Sequence, residues 1–402
     1  DQMTKFRRIF AILALAAVVL PTYGADAAQP FEDWLKGFRG EAAKAGIADS
    51  VLDRALGSVQ PIPRVLELDR RQPEFMLTLW RYLEIYVPDR RVEQGKELLK
   101  KHAKLLAEVE RKYGVPPRFL VAFWGVETDF GRNFGAFHML SAVATLAHDA
   151  RRRDFFKTQF MSAIRLVGMG DVPLDVKSSW AGAMGNMQFI PTTFEAYAVD
   201  YDGDGRRDLW NSLPDAFASA SNYLKSVGWN PEYTWGREVK LPKSFDLSLA
   251  GLQERKKLAE WQKLGVRKVG GGNLPAADID ASLLLPAGAA GPAFLVYSNF
   301  RTIMRWNTSQ LYAVAVGHLA DRFIGLPRLS VEKPADAHML RYADIEEMQR
   351  LLTKIGFDTG GVDGRAGPMT RAAIRNFQKS VNLPADAHPT FGLLERLRAA
   401  AN

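Results

Sequence analysis

The chain has 402 residues, a formal net charge of +8 and no cysteine. Its length predicts two or three domains, and 47% hydrophobic residues are enough for a large packed core, which excludes global disorder. Without cysteine, the fold cannot depend on disulfides.

The first residues read as a targeting segment. After Asp1 and Gln2, Met3 opens a basic stretch with Lys5, Arg7 and Arg8, and an apolar run follows from Ile9 to Leu20. Ala25-Asp26-Ala27 has the small residues of a cleavage site, so residues 1–27 are expected to be a signal peptide. The alternative is an uncleaved membrane anchor, for which the apolar run is short. No cysteine follows the run, which excludes lipid attachment there. Removing residues 1–27, which carry a net +1, leaves +7. That balance favours an anionic partner, such as a carboxylate-bearing polymer or a membrane surface. Export argues against nucleic acid.

Residues 28–113 carry helical periodicity. Val92 to Lys112 reads as one helix, with Leu98, Leu99, Leu105, Leu106 and Val109 on its apolar side and Gly114 at its end. Pro116 and Pro117 then start another helix, where a missing N–H costs least. Helical pattern alternates with Gly and Asp punctuation from 118 to 235. Residues 236–292 change texture: short strand-like pieces such as REVKLP are separated by GGGN and PAGAAGP, which predicts a small β-rich insert. Helix resumes at Leu311–Phe323. Residues 326–341 read as a linker, and 342–400 as a compact three-helix unit with faces Ile345/Met348/Leu352, Ala373/Ile374/Phe377 and Leu393/Leu394/Leu397.

Three stretches carry chemistry. In FLVAFWGVETDFG (119–131), Leu120, Phe123, Trp124 and Glu127 share one side of a helix. A carboxyl facing apolar walls has its pKa raised, as leaving-group protonation in glycoside cleavage requires. The plain alternative is a solvated glutamate at a helix end. Asp129 is the nearest acid, but two residues turn a helix by about 200°, so it points away. In SSWAGAMGNMQFIPTTF (178–194), Ala181, Gly182, Ala183 and Gly185 allow close backbone approach. Ser179, Asn186 and Gln188 supply neutral hydrogen-bonding groups suited to a sugar groove. A tight helix–helix contact accounts for the small residues equally well. In DYDGDGRRDLWN (200–211), Asp200, Asp202 and Asp204 stand at calcium-loop positions one, three and five, with Gly205 at six. Arg206 would offer its carbonyl. Asn211 stands where the closing glutamate is usual, and Asp215 could close a longer loop. Such an ion would brace the loop and take no part in the chemistry; a solvated Asp-Gly turn is the alternative.

Taken together, GVETDFG, WAGAMGNMQFIP, AVDYDGDG and RWNTSQLYAVAVGHLADR resemble the membrane-bound lytic murein transglycosylase B family over roughly residues 31–325. The terminal unit, with GxVDGxxGPxT followed by FQ, is similar to the peptidoglycan-binding-like module. The resemblance implies a mainly α (α+β) fold: a lysozyme-like helical core within residues 28–325, an N-terminal helical region, the small β-rich insert, and the C-terminal module. It implies cleavage of the β-1,4 bond between N-acetylmuramic acid and N-acetylglucosamine to a 1,6-anhydromuramoyl end, with Glu127 as acid and then base. It also implies a periplasmic location, glycan strands and wall-remodelling proteins as partners, a monomer, no catalytic cofactor and a structural Ca2+. By motif position, Ser179, Gln188, Tyr223 and Tyr82 correspond to groove residues, and Arg151 and Arg152 to a basic pair near the groove. Asn307 and Tyr312 correspond to neighbours of the acid, while Trp306 stands where tyrosine is familiar. Asp200, Asp202, Asp204, Arg206 and Asp215 correspond to the metal loop, although Arg207 departs from the apolar residue usual at position eight. A muramidase-type hydrolase on the same fold and a non-catalytic wall-binding scaffold are the competing readings.

Overall fold

A computed structural model describes residues 29–402 apart from 72 and 336. The expected signal peptide lies outside the described residues. Among them, no helix is long and apolar enough to cross a membrane.

The fold is mainly α. Six helices lead: α1 (Phe31–Lys44), α2 (Asp49–Gly57), α3 (Pro63–Arg70), α4 (Leu79–Tyr86), α5 (Asp89–Lys101) and α6 (Ala103–Tyr113). The single helix expected over Val92–Lys112 is therefore two. The chain turns at His102 (φ −104°, ψ 17°). The turn brings the imidazole edge-on to Trp124 and Phe217, each 6.1 Å away between ring centres. Packing of that ring overrides a continuous helical pattern.

The central body follows. It contains α7 (Pro117–Thr128), the short antiparallel pair β1 (Phe137–His138) and β2 (Lys177–Ser178), α8 (Met139–His148), α9 (Arg153–Met169), α10 (Pro191–Tyr197) and α11 (Leu213–Ser226). The β-rich insert is a five-stranded sheet built from β3 (Gly236–Lys240), β4 (Lys256–Lys257), β5 (Arg267–Lys268), β6 (Asp280–Leu284) and β7 (Ala293–Val296) in the order β4-β6-β7-β3-β5, with α12 (Leu258–Lys263) between β4 and β5. Strand β7 runs a few residues beyond the expected end, because its Ala293–Val296 backbone pairs with β3 and β6. Trp261, Leu283 and Leu295 centre a small core of the insert's own.

Helices α13 (Ser298–Trp306) and α14 (Gln310–Phe323) return to the main body, and α14 packs against α7 and α4. Gly317 on α14 lets the two layers close. A Cβ there would lie 2.3 Å from the Trp235 ring, whose indole N–H donates to Asp321 at 2.9 Å.

The chain then crosses the surface, where Arg328 pairs with Asp89 (2.5 Å) and Lys333 with Glu84 (2.6 Å). It ends in α15 (Tyr342–Lys354), α16 (Pro368–Ser380) and α17 (Phe391–Ala401), which share a core of Ile345, Met348, Ile374, Phe377 and Leu394. Two buried glutamines hold the loops of this unit. Gln349 accepts from the N–H groups of Asp363 and Gly364 and donates to Asp363 and Thr370. Gln378 accepts from Ala387 N–H and donates to Asp386. The unit meets the rest of the chain through Met76 N–H to Leu340 O (2.7 Å) and Ala289 N–H to Asp386 (2.8 Å).

Gly317→Ala is expected to destabilise the protein by about 1–3 kcal/mol through overpacking against Trp235. A lower Tm in calorimetry checks it; an unchanged Tm means the indole relocates freely.

Candidate active site

Helix α7 places the acid. Pro117 sits in its first turn, and Phe119 to Gly125 are all buried. The helix ends at Thr128 because Asp129 and Phe130 take left-handed backbone (φ 49° and 61°), and Gly131 continues the turn at φ 80°. Glu127 stands one residue before that end, half-buried. Its pKa is pushed up to about 7, chiefly by burial. Two groups oppose the rise. The Tyr312 hydroxyl donates to Glu127 Oε1. The Trp306 indole lies close enough to favour the anion, though without the geometry of a regular hydrogen bond. Burial wins, so the group can hold a proton near neutrality and still has a path to solvent.

Asp129 has the opposite environment. Arg90 (3.2 Å), Arg91 (3.2 Å) and Arg132 (2.9 Å) surround it. Burial raises its pKa, but hydrogen bonds from the three guanidinium groups together bring it below the usual carboxylate range. It points into this cluster and does not reach Glu127.

Tyr312 is buried on α14, whose N-cap is Ser309: the Ser309 hydroxyl accepts from Tyr312 N–H at 3.3 Å. Asn307 accepts from Ser309 N–H at 3.0 Å, so it shapes this corner, and its side chain is exposed. Tyr82, on α4, faces Ser309 and stacks near Tyr86 at 4.5 Å. Burial raises the pKa of both Tyr82 and Tyr312, with the Glu127 charge adding to it, so both phenols stay neutral donors.

An aromatic wall continues from the acid. Trp306 stacks on Phe123 at 4.2 Å and meets Tyr223 edge-on at 5.4 Å. The Tyr223 hydroxyl donates to Arg305 O at 2.8 Å. Across from it, the 179–190 segment that follows β2 is a loop and not a helix. Gly182 and Gly185 take positive φ, and Cβ atoms there would press on Val143 (2.5 Å) and Leu209 (2.8 Å). The Ser179 hydroxyl accepts from Ala181 and Ala183 N–H groups, which leaves its proton to donate. Gln188, at φ 51°, donates to Gly185 O at 3.1 Å. Its carbonyl has no donor among the described residues. Asn186 departs from the groove expectation: it is 2% exposed and all its amide valences are used inside the protein.

Arg151 and Arg152 share one acidic partner. Both reach Asp69, Arg151 also donating to Asp69 O at 2.6 Å, and no hydrogen bond among the described residues joins them to Glu127's neighbours. Asp69 carries no sequence signal that would have revealed it.

In the acidic loop, carboxylate oxygens of Asp200, Asp202 and Asp204 lie within 4.8 Å of one another. Gly203 and Gly205 make the turns at φ 78° and 90°. Hard oxygen donors this close suit a hard cation. Asp215 is not in that group: its carboxylate is fully buried and accepts from the N–H groups of Tyr201 (2.7 Å) and Asp208 (2.9 Å). The expected closing ligand thus ties the loop's backbone down. Arg206 gives its N–H to Asp204 at 2.9 Å. Arg207 replaces an apolar contact by clamping Asp171 (2.7 Å) and lying over the Phe194 ring at 5.5 Å.

Residues 30–321 match the family model described as transglycosylase SLT domain, and residues 341–397 match a peptidoglycan binding domain model. The chain belongs to the lytic murein transglycosylase B family. Membrane-bound lytic murein transglycosylase B of Escherichia coli (strain K12) is 33% identical over 254 residues, 60% of this chain and 65% of that protein's length. SltB3 from Pseudomonas aeruginosa, crystallised in complex with NAG-anhNAM-pentapeptide, is 48% identical with a TM-score of 0.88, over 92% of this chain and 100% of that one. The Escherichia coli lytic transglycosylase Slt35, crystallised in complex with calcium, is 29% identical with a TM-score of 0.63, over 75% and 95% of the two chains. The helical core of this family member is accordingly lysozyme-like.

Sequence reasoning passed over Ser309 and Thr128 in this family member. Ser309 had a usable signal: a serine directly before the apolar-periodic run of α14 is an N-cap pattern. Thr128, which donates to Asn186 O at 2.9 Å, had none.

The raised carboxyl has a stability consequence. Between its ordinary value of 4.5 and about 7, the folded protein keeps a proton on Glu127 that the unfolded chain releases. Stability therefore falls as pH rises through that window and levels off above it. Glu127→Gln removes this loss and is expected to be the more stable form at pH 8 by roughly 1–3 kcal/mol, with the gain vanishing near pH 4. Denaturant melts at the two pH values check this.

Proposed function

We propose that this chain cleaves the β-1,4 bond between N-acetylmuramic acid and N-acetylglucosamine of peptidoglycan and leaves 1,6-anhydromuramoyl ends. One observation carries the reading: a single half-buried carboxyl holds its proton to about pH 7, while the nearest second acid is turned into three arginines. In this scheme Glu127 protonates the leaving glycosidic oxygen. The resulting carboxylate, steadied by the Tyr312 hydroxyl, takes the proton of the muramoyl 6-hydroxyl as that oxygen bonds to the anomeric carbon. The proton lost in the first step is regained in the second, so the enzyme ends as it began and no water is consumed. Ser179, Gln188, Tyr223, Trp306, Tyr82 and Asn307 bound the groove and meet sugar hydroxyls and acetamides. Arg151 and Arg152, with one shared aspartate between them, keep a net positive charge for lactyl or peptide carboxylates. Residues 28–325 form the catalytic unit, 326–341 the linker and 342–400 the wall-binding unit. The setting is the periplasm, where the basic chain meets an anionic wall.

Digestion of purified sacculi tests the chemistry. Mass spectrometry is expected to find anhydro ends with the wild type and no soluble product with Glu127→Gln. Reducing ends would favour a muramidase, and unchanged release by the variant would remove Glu127 from the mechanism.

Asp200, Asp202 and Asp204 would hold a calcium ion that braces the loop and supplies no chemistry. Added Ca2+ is expected to raise the Tm of the wild type and to leave the Tm of a D202N/D204N double variant unmoved; an equal rise in both would place the ion elsewhere.

A further inference from the structure

Asn186 makes a set of contacts that the catalytic reading does not use. Its Oδ1 accepts from the Trp124 indole N–H at 2.8 Å. Its Nδ2 donates to Leu209 O at 2.9 Å and Trp210 O at 3.0 Å, and its backbone N–H also reaches Leu209 O, at 2.8 Å. Its own carbonyl accepts from the Thr128 hydroxyl at 2.9 Å. The orientation of the amide is forced, because reversing it would set NH2 against an indole N–H and oxygen against two carbonyls. The fit leaves no slack: a Cβ on Gly131 would lie 2.7 Å from Asn186 Oδ1.

The partners fall in three places. Trp124 and Thr128 lie three residues before and one after Glu127 on the last turn of α7. Asn186 itself is two residues from Gln188 in the groove loop. Leu209 and Trp210 lie at the end of the acidic loop, which Asp215 ties at Tyr201 and Asp208. One buried amide therefore joins the acid's helix turn, the groove segment and the exit of the acidic loop.

We propose that Asn186 is a positioning residue for the acid, holding the Glu127-bearing end of α7 in register with the groove. This rests on the reading of Glu127 as the proton donor. An error of about 1 Å in placing such a group costs on the order of a hundredfold in rate. Thr128 acts in the same sense from the helix side. Asn186→Asp keeps the acceptor for the indole but turns the two donors into an acceptor facing carbonyl oxygens. Thr128→Val keeps the shape of the side chain and deletes the hydroxyl's grip on Asn186 O together with its bond from Gly131 N–H.

The test uses the full chain and a short soluble peptidoglycan fragment. Both variants are expected to lower kcat, Asn186→Asp by roughly 10–100-fold and Thr128→Val by a smaller factor, with KM little changed. The alkaline limb of the rate profile should move to lower pH as Glu127 becomes better hydrated. An NMR titration of the Glu127 side-chain carboxyl, free of any turnover, should show the same downward displacement of its midpoint. Should Asn186→Asp fail to fold, Thr128→Val reads the same quantities. A lowered Tm with unchanged kcat, pH limb and titration midpoint would overturn the proposal and leave Asn186 as a core residue only. If the wild type itself released no product, the assigned reaction would fail, while the titration would still decide the positioning role.

Discussion

Desolvation of one carboxyl is the constraint on which the rest of the site depends. Glu127 sits where α7 and α14 pack together, with Phe123 under Trp306 on one side and Tyr312 over the oxygen on the other. Together these neighbours have two effects. The aromatic faces deny water to the anion and raise its pKa, whereas the phenol donor stabilises the anion and lowers it. For the proposed acid-then-base role of Glu127, the balance near neutrality matters because neither effect is complete. A fully enclosed carboxyl would protonate permanently and never act as base. A fully hydrated one would have no proton to give.

Two carboxylates two residues apart thus reach opposite states by different means. The change of backbone at the end of α7 separates them. Asp129 leaves the helix in left-handed conformation, which swings its side chain to Arg90, Arg91 and Arg132, while Glu127 keeps helical geometry and meets the Tyr312 hydroxyl. Three guanidinium groups around Asp129 also remove its negative charge from the electrostatic surroundings of the acid. Burial is left as the main influence on Glu127.

The parts legible in the sequence were those written in periodicity and punctuation. The apolar side of α7, the texture change at the insert and the three apolar faces of the terminal helices each follow from side chains repeating with the helix or strand period. The Asp-Gly spacing of the acidic loop is local chemistry and was equally readable. What was hidden depended on partners distant in the chain. His102 breaks a continuous helical pattern because Trp124 and Phe217 offer it an aromatic slot. Asp215 looks like a ligand at the right distance in sequence, and the fold shows a second use for it that the sequence hides: its oxygens accept from backbone N–H groups of the same loop. Arg151 and Arg152 read as a basic pair by resemblance, and their partner Asp69, on α3, is distant in sequence.

The stretch from Ser179 to Gln188 shows why residue type alone cannot separate binding from support. Its three polar residues are all neutral and all compatible with sugar. In the fold they divide by hydrogen-bond inventory. The Ser179 hydroxyl accepts twice from backbone and keeps its proton, and the Gln188 amide keeps its carbonyl. Asn186 keeps nothing: both amide hydrogens and the oxygen are consumed within the protein. A side chain with an unspent donor or acceptor beside solvent can meet a ligand, and one without can only hold other parts in place. The glycines explain how the two kinds alternate over so few residues. Positive φ at Gly182 and Gly185 turns the chain sharply enough that Ser179 and Gln188 stay partly exposed while Asn186 is directed into the interior. The partly exposed side chains and their support are therefore one loop, held by the residue whose hydrogen bonds all stay inside the protein.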